Sequence, residues 1–317
     1  MALADKRVMV VGGAGFIGSH LVDQLLQTDA AEVRVYGSLR SAARNLRQDD
    51  PRLRLLEGSV TDAEGLRRAM KGMDGVFLLA SLWLKECAAD PQAGFEVNVQ
   101  GGFNVLEACR QAGVGRIVYA SSTAVYGMAL SDPIDETHRL NGSSFYGATK
   151  SAVEAFLHAY YQQYHLPYVV CRLSNVYGPR QAAKGDATSV IIRFLDRIAT
   201  GKTPVIYGTG EQSYDFIYVE DAARAMLLAM QHTEIEAEVF NIASGEAASL
   251  NALVRLMLDL SASTLTVEYV PAAQPGTPSA RMNVTRAQQL LGFQTRVGLA
   301  DGLGRTIQWR SKEKETL

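Results

Sequence analysis

Tyr146 and Lys150 stand four residues apart at the head of an amphipathic stretch. On a helix that spacing puts both on one face and brings an ammonium close to a phenol. A neighbouring cation lowers a phenol pKa, which would make Tyr146 a base usable near neutral pH. Upstream, Arg116–Ala120 runs into Ser121-Ser122-Thr123, so a strand delivers hydroxyls at its carboxyl end to the same cleft. A third group with chemical meaning is Gly12-Gly13-Ala14-Gly15-Phe16-Ile17-Gly18, directly after the apolar run Arg7–Val11. Glycines there permit a tight turn and let backbone N–H groups approach a pyrophosphate at a helix N-terminus, while Gly18 lets helix and strand pack closely. The expected cofactor site comprises Gly12, Gly15, Phe16, Ile17 and Gly18.

These groups need a particular scaffold. Short β-branched runs at Arg7–Val11, Val33–Tyr36, Leu53–Leu56, Gly75–Ala80, Arg116–Ala120 and Tyr168–Leu173 alternate with helical stretches at Phe16–Gln27, Ala63–Lys71, Phe95–Gln111 and Tyr146–Tyr164. That rhythm predicts an α/β fold, a doubly wound parallel sheet of Rossmann type. Asp62 is the expected N-cap of the second helix, and Pro167 closes the fourth. After Asn175 the rhythm changes to a long loop, a helix at Ser189–Thr200, a strand at Val205–Tyr207 and a helix at Val219–Met230. Residues 1–175 with about 214–244 form the expected dinucleotide domain; about 176–213 with 245–317 form a smaller C-terminal substrate-binding lobe. The charged end Arg310–Leu317 reads as a frayed tail.

Ligands of such folds sit at strand carboxyl ends. This adds Ser59 and Val60 after the third strand, and Leu79, Ala80 and Ser81 at the fourth. The second strand should end in an acid that holds the adenosine ribose, but Gly37 stands there, followed by Ser38 and Arg40. Ser38 and Arg40 suit a 2′-phosphate. NAD and NADP therefore both remain open.

Composition narrows the partners. With 317 residues, 31 Lys+Arg against 33 Asp+Glu and a net charge of −2, the chain lacks the general basic excess of a nucleic-acid binder. No apolar run is long enough to span a bilayer, and no cleavable signal precedes the first strand, so a cytoplasmic location and no membrane partner are expected. Cys87, Cys109 and Cys171 are widely spaced, and the five histidines show no metal spacing, so no metal site is expected.

The chain resembles the extended short-chain dehydrogenase/reductases, in particular the NAD-dependent epimerase/dehydratase branch that acts on nucleotide sugars. The resemblance rests on Gly12–Gly18, Asn98 in Asn98-Val99-Gln100-Gly101, Ser121–Gly127, Tyr146–Lys150, Arg172–Pro179 and Asp215–Asp221. It implies Ser122, four residues before Tyr126, as the catalytic hydroxyl, Tyr146 as base and Lys150 as a further holder of the nicotinamide ribose. It also implies Asn98 at the cofactor, Asn175 near the substrate phosphates, and a homodimer formed by the Tyr146–Tyr164 and Phe95–Gln111 helices.

Two departures bear on the reaction. Dehydratases of the family carry Asp-Glu after the catalytic hydroxyl and decarboxylases a Glu, whereas this chain has Thr123-Ala124. Redox chemistry alone is then expected, through a transient 4-keto sugar whose hydride returns to the opposite face: C4 epimerisation of a nucleotide sugar. Family members also carry Arg before the Asp-Phe segment and before a C-terminal Pro-Gly, clamping the diphosphate; Tyr214 and Gln274 occupy those places. Arg193, Arg281 or Arg180 could substitute, and Tyr214 could stack on a base or sugar. The expected substrate site is Ser122, Thr123, Asn175, Arg193, Tyr214 and Arg281. Two alternatives stay open: an NAD(P)-dependent reductase or dehydrogenase acting on a substrate without a nucleotide diphosphate, and a non-catalytic cofactor sensor.

Overall fold

The computed structural model describes residues 3–39, 43–182, 189–271 and 281–315; Arg40 and Gln274 fall outside them. The strands are β1 Arg7–Val11, β2 Glu32–Gly37, β3 Leu53–Glu57, β4 Gly75–Leu78, β5 Arg116–Ser122, β6 Tyr168–Leu173, β7 Asn175–Tyr177, β8 Val205–Tyr207, β9 Ser213–Tyr218, β10 Glu238–Ile242, β11 Ala247–Ser249 and β12 Glu268–Val270. Seven of them form one sheet in the order β10-β6-β5-β4-β1-β2-β3, with every pairing parallel. The order reverses direction between β1 and β4, where a doubly wound sheet opens its ligand crevice.

Both sheet faces are covered, which explains why the strands read as continuous apolar runs. Along β1, Val8 and Val10 join one core with Phe77, Val118 and Val169, while Met9 and Val11 join the other with Val76, Ile117 and Val170. A third core gathers Tyr177, Ile192, Phe194, Ile206, Leu253 and Met257 beneath the smaller sheet β11-β9-β7 and the pair β12-β8.

Helix starts follow their caps. Asp62 accepts the Gly65 N–H ahead of Ala63–Met70, and Ser144 accepts the Gly147 N–H ahead of Phe145–Tyr164. The latter helix ends on His165 in the left-handed region, two residues before Pro167.

Three sequence expectations are corrected. Strand β4 stops at Leu78, because the Leu79 and Ala80 N–H groups both turn to the Val11 carbonyl, at 2.9 and 3.0 Å. The Phe95–Gln111 stretch opens as a π-helical turn over Phe95–Gln100 before the regular helix Gly101–Ala112. The C-terminal stretch is no frayed tail from Arg310: the helix Leu299–Glu315 continues through it, and the Arg310 guanidinium pairs with Asp196 at 3.0 Å.

Candidate active site

The glycine loop leaves β1 at the centre of the sheet. Gly12 has φ +86°, and a Cβ there would lie 2.7 Å from the Ala80 nitrogen. Only glycine fits, on conformation and on space. A Cβ on Gly18 would collide with the Gly12 carbonyl, so the helix Phe16–Leu25 packs directly on the loop. That helix has no side-chain cap at Gly15 and no acid in its first turn. The first-turn N–H groups of Phe16 and Ile17 are thus left without intrahelical acceptors, and an anion satisfies them. This cradle fits the pyrophosphate of a dinucleotide.

The other expected cofactor residues line adjacent strand ends. Gly37 has φ +150°, a conformation L side chains rarely adopt, which accounts for glycine where an acid was expected. Ser38 follows it, exposed. The Tyr36 hydroxyl donates to the Ser59 carbonyl at 3.1 Å and positions the loop after β3. Val60 is buried, its carbonyl held by the Asn104 amide at 3.0 Å, so it shapes the wall rather than presenting a polar group. Leu79, Ala80 and Ser81 follow β4 beside Gly12.

Asn98, expected at the cofactor, is bound within the protein. Turned inward by the π-helical turn, its Oδ1 accepts the Leu82 N–H at 2.7 Å, and its Nδ2 faces the Leu82 carbonyl at 3.1 Å and Thr149 Oγ1 at 3.0 Å. It thereby clamps the loop after β4 to the helix carrying Tyr146.

Ser122 ends β5 and accepts the Ala124 N–H at 3.2 Å, capping the short turn Thr123–Tyr126. Tyr146 and Lys150 occupy the first turns of the Phe145–Tyr164 helix facing it. Lys150 is 2% exposed and donates to the Ala120 carbonyl at 2.8 Å, with its Nζ 5.6 Å from the centre of the Tyr146 ring. Burial lowers the Lys150 pKa to about 8, opposed by Cys87 and Glu154. Burial also raises the Tyr146 phenol to about 12, against the effect of a Ser122 hydrogen bond. This departs from the expectation of a phenol acidified by its lysine: in this arrangement desolvation by burial is the largest influence on the phenol.

Beneath the strand end lies a buried polar network that sequence reasoning missed. Ser121 Oγ donates to Glu154, one turn beyond Lys150, and Glu154 pairs with Arg172 of β6 at 2.7 Å. Arg172 donates to the Tyr126 hydroxyl at 3.0 Å, which donates to Asn241 Oδ1 on β10 at 2.6 Å. The i,i+4 step from Lys150 to Glu154 was the available signal. Cys87, buried and 3.4 Å from Asn98 Nδ2, was likewise not singled out.

The expected substrate residues divide. A cavity of about 400 Å³ is lined by Asn175, Arg193 and Tyr214 together with unanticipated Tyr207, Gln212 and apolar Val190, Ile206 and Phe216. Thr123 stays beside Ser122 at the end of β5. Arg281 is not part of the cavity lining; its guanidinium faces Asp132 at 3.8 Å. Arg180, at φ +68°, is bound to Asp23 at 2.7 Å, and His20, whose pKa burial lowers to about 4, contacts the Pro179 carbonyl at 3.0 Å. Asp215 braces the second lobe by accepting from Ser244, Gly245 and Met282 N–H groups.

Residues 8–243 match the family described as the NAD dependent epimerase/dehydratase family. The chain belongs to that family. A putative UDP-glucose 4-epimerase of Methanocaldococcus jannaschii is 31% identical over 98% of this chain and 100% of its own length. A dTDP-glucose 4,6-dehydratase of Streptomyces griseus is 31% identical over 97% of this chain and 94% of its own. Among solved structures, the UDP-N-acetylglucosamine 4-epimerase from Methanobrevibacter ruminantium M1, in complex with UDP-N-acetylmuramic acid, superimposes with a TM-score of 0.92 at 31% identity, covering 98% of this chain and 99% of that one. The family fold, a parallel Rossmann-like sheet, agrees with the architecture expected of the sequence.

Proposed function

We propose that the protein is a nucleotide-sugar epimerase acting at sugar C4 with NAD. The observation that carries this reading is the turn after Ser122. Thr123 and Ala124 occupy it, and Glu154, the buried acid below, is engaged by Ser121 and Arg172. No carboxylate is thereby offered for elimination, so proton transfer and hydride transfer are what the site supports. The family and the epimerase relatives point the same way, while the dehydratase relative marks the competing outcome.

In this reading the Gly12–Gly18 loop, Ser38, Ser59, Ala80 and Ser81 hold the dinucleotide. When bound, it accepts hydride from the sugar carbon and returns it. Ser122 orients the sugar hydroxyl, Tyr146 takes its proton and later gives it back, and Lys150 keeps a buried positive charge beside the phenol that favours the phenolate as it forms. The family description supports NAD as the dinucleotide of this reading. The exposed aromatic side chains Phe95, Phe103, Phe145 and Tyr164 on the two neighbouring helices support a homodimer, whereas Val153 and Tyr160 of the Phe145–Tyr164 helix are buried within one subunit.

The test is incubation with UDP-glucose and related nucleotide sugars, following products by NMR and NADH by absorbance. C4 epimers formed without net NADH support the reading. A 4-keto-6-deoxy product would show a dehydratase, and stoichiometric NADH a dehydrogenase. Tyr214 in place of the expected arginine favours the second reading, a reductase on a substrate lacking the diphosphate. Denaturing the protein purified without added cofactor separates the two: an epimerase releases tightly held NAD, a reductase exchanges its cofactor freely.

A further inference from the structure

Of the side chains lining the second-lobe cavity, Arg193 alone carries a charge. The rest of the lining includes apolar Val176, Val190, Ile206 and Phe216 and polar Asn175, Ser189, Tyr207, Gln212 and Tyr214, and Arg193 itself is exposed. Three arginines were available to replace the two that the family places at the substrate diphosphate. Arg180 is bound to Asp23 at 2.7 Å, and Arg281 lies off the cavity facing Asp132 at 3.8 Å. Among the described residues, the Arg193 guanidinium has no carboxylate or hydrogen-bond acceptor in reach.

The helix carrying it is fixed. Ser189 caps Val190–Ala199, and Ile191, Ile192, Phe194 and Leu195 are buried in the lobe core, so Arg193 is the member of this turn left outside. A guanidinium so placed is an anion receptor: planar, permanently charged, able to bond a phosphate bidentately, and with no carboxylate paired to it among the described residues.

We infer that Arg193 is the specificity-determining cation that binds the diphosphate of the nucleotide sugar, standing in for the arginine absent at Tyr214. The inference rests on the nucleotide-sugar reading above. It further states which of the three arginines carries the contact, and that affinity tracks phosphate charge: diphosphate above monophosphate above the bare nucleoside.

The experiment is titration calorimetry of the full chain with UDP, dTDP, GDP and ADP, then with the monophosphate and nucleoside of whichever binds. It is repeated on Arg193→Gln, Arg193→Lys and Arg281→Gln, with NAD affinity and melting temperature as measures of integrity. Arg193→Gln is expected to weaken the nucleoside diphosphate about 10- to 100-fold, the loss of one charge-assisted contact. The nucleoside should change less than about 3-fold on the same scale. Arg193→Lys should fall between, and Arg281→Gln should bind as the parent. Unchanged diphosphate affinity in Arg193→Gln overturns the inference while leaving the nucleotide-sugar reading standing. A parent protein that binds NAD but none of the four diphosphates overturns both. Parallel loss of NAD and diphosphate binding in both Arg193 variants assigns the residue a structural part and overturns the inference too.

Discussion

The end of β5 and the second-lobe cavity are both polar, in opposite ways. Beneath the strand end each charge is answered: Lys150 by the Ala120 carbonyl, Glu154 by Ser121 and Arg172, and Arg172 also by Tyr126. In the cavity Arg193 is the one charge among the described lining residues, which are largely apolar and aromatic. The first arrangement holds reacting groups in one geometry, because a satisfied buried network strongly resists rearrangement. The second reserves its bonding capacity for something that arrives. On the proposed reading, reaction type is written into the closed region and substrate choice into the open one.

That contrast can be broken at several points. The largest effect is expected from Tyr146→Phe, which removes only the hydroxyl: turnover should fall about 10²- to 10⁴-fold with melting temperature and NAD binding kept. Wild-type turnover in that variant would remove the base from the scheme. Next, Glu154→Gln leaves Arg172 buried without its counter-charge and should cost about 3–5 kcal/mol in urea unfolding. Arg193→Gln, by comparison, should shift stability by less than about 0.5 kcal/mol. Equal losses in the two variants would erase the distinction between the regions.

A smaller, pH-dependent effect sharpens the comparison. Burial takes the Lys150 pKa from 10.5 down to about 8 in the folded chain. Between those values the unfolded chain binds the extra proton, so stability rises with pH through that window and is flat in this respect below it. The slope is at most about 1.4 kcal/mol per pH unit. Lys150→Met should lack it when unfolding is measured from pH 7.5 to 10, and a matching slope in both proteins would deny Lys150 its depressed pKa. The smallest effect belongs to the cavity: Tyr214→Phe should raise KM about 2- to 5-fold with kcat unchanged, the signature of a contact worth the same before and during reaction.

Much of this was legible in the sequence because local chemistry enforces it. Gly12 and Gly18 have no substitute when backbone passes that close, so the loop announces itself. The strands did so because both sheet faces are buried, leaving unbroken apolar runs. Tyr146 and Lys150 were singled out by their four-residue spacing, and Ser122 by the family resemblance. What escaped was long-range: Arg172 stood in a recognised motif, yet nothing local says that it reaches Glu154 and Tyr126. Asn98 was placed at the cofactor by the family resemblance, and a helix-like stretch does not reveal the π-helical turn that swings it onto Leu82 and Thr149. The phenol pKa was misjudged for a related reason, since burial, which decides it, is a property of the assembled fold.

The network beneath Ser122 also sets an order on the life of the chain. Every reacting group lies within the first half of the sequence, yet Tyr126 is held by Asn241, whose amide donates to the carbonyls of Ile134 at 3.1 Å and Asn283 at 3.2 Å. A ribosome therefore releases Ser122, Tyr146 and Lys150 long before it releases the residues that lock their support. During synthesis the proposed reacting groups are therefore made before the last strand of the main sheet and the segment after residue 281, which supply the partners of that network.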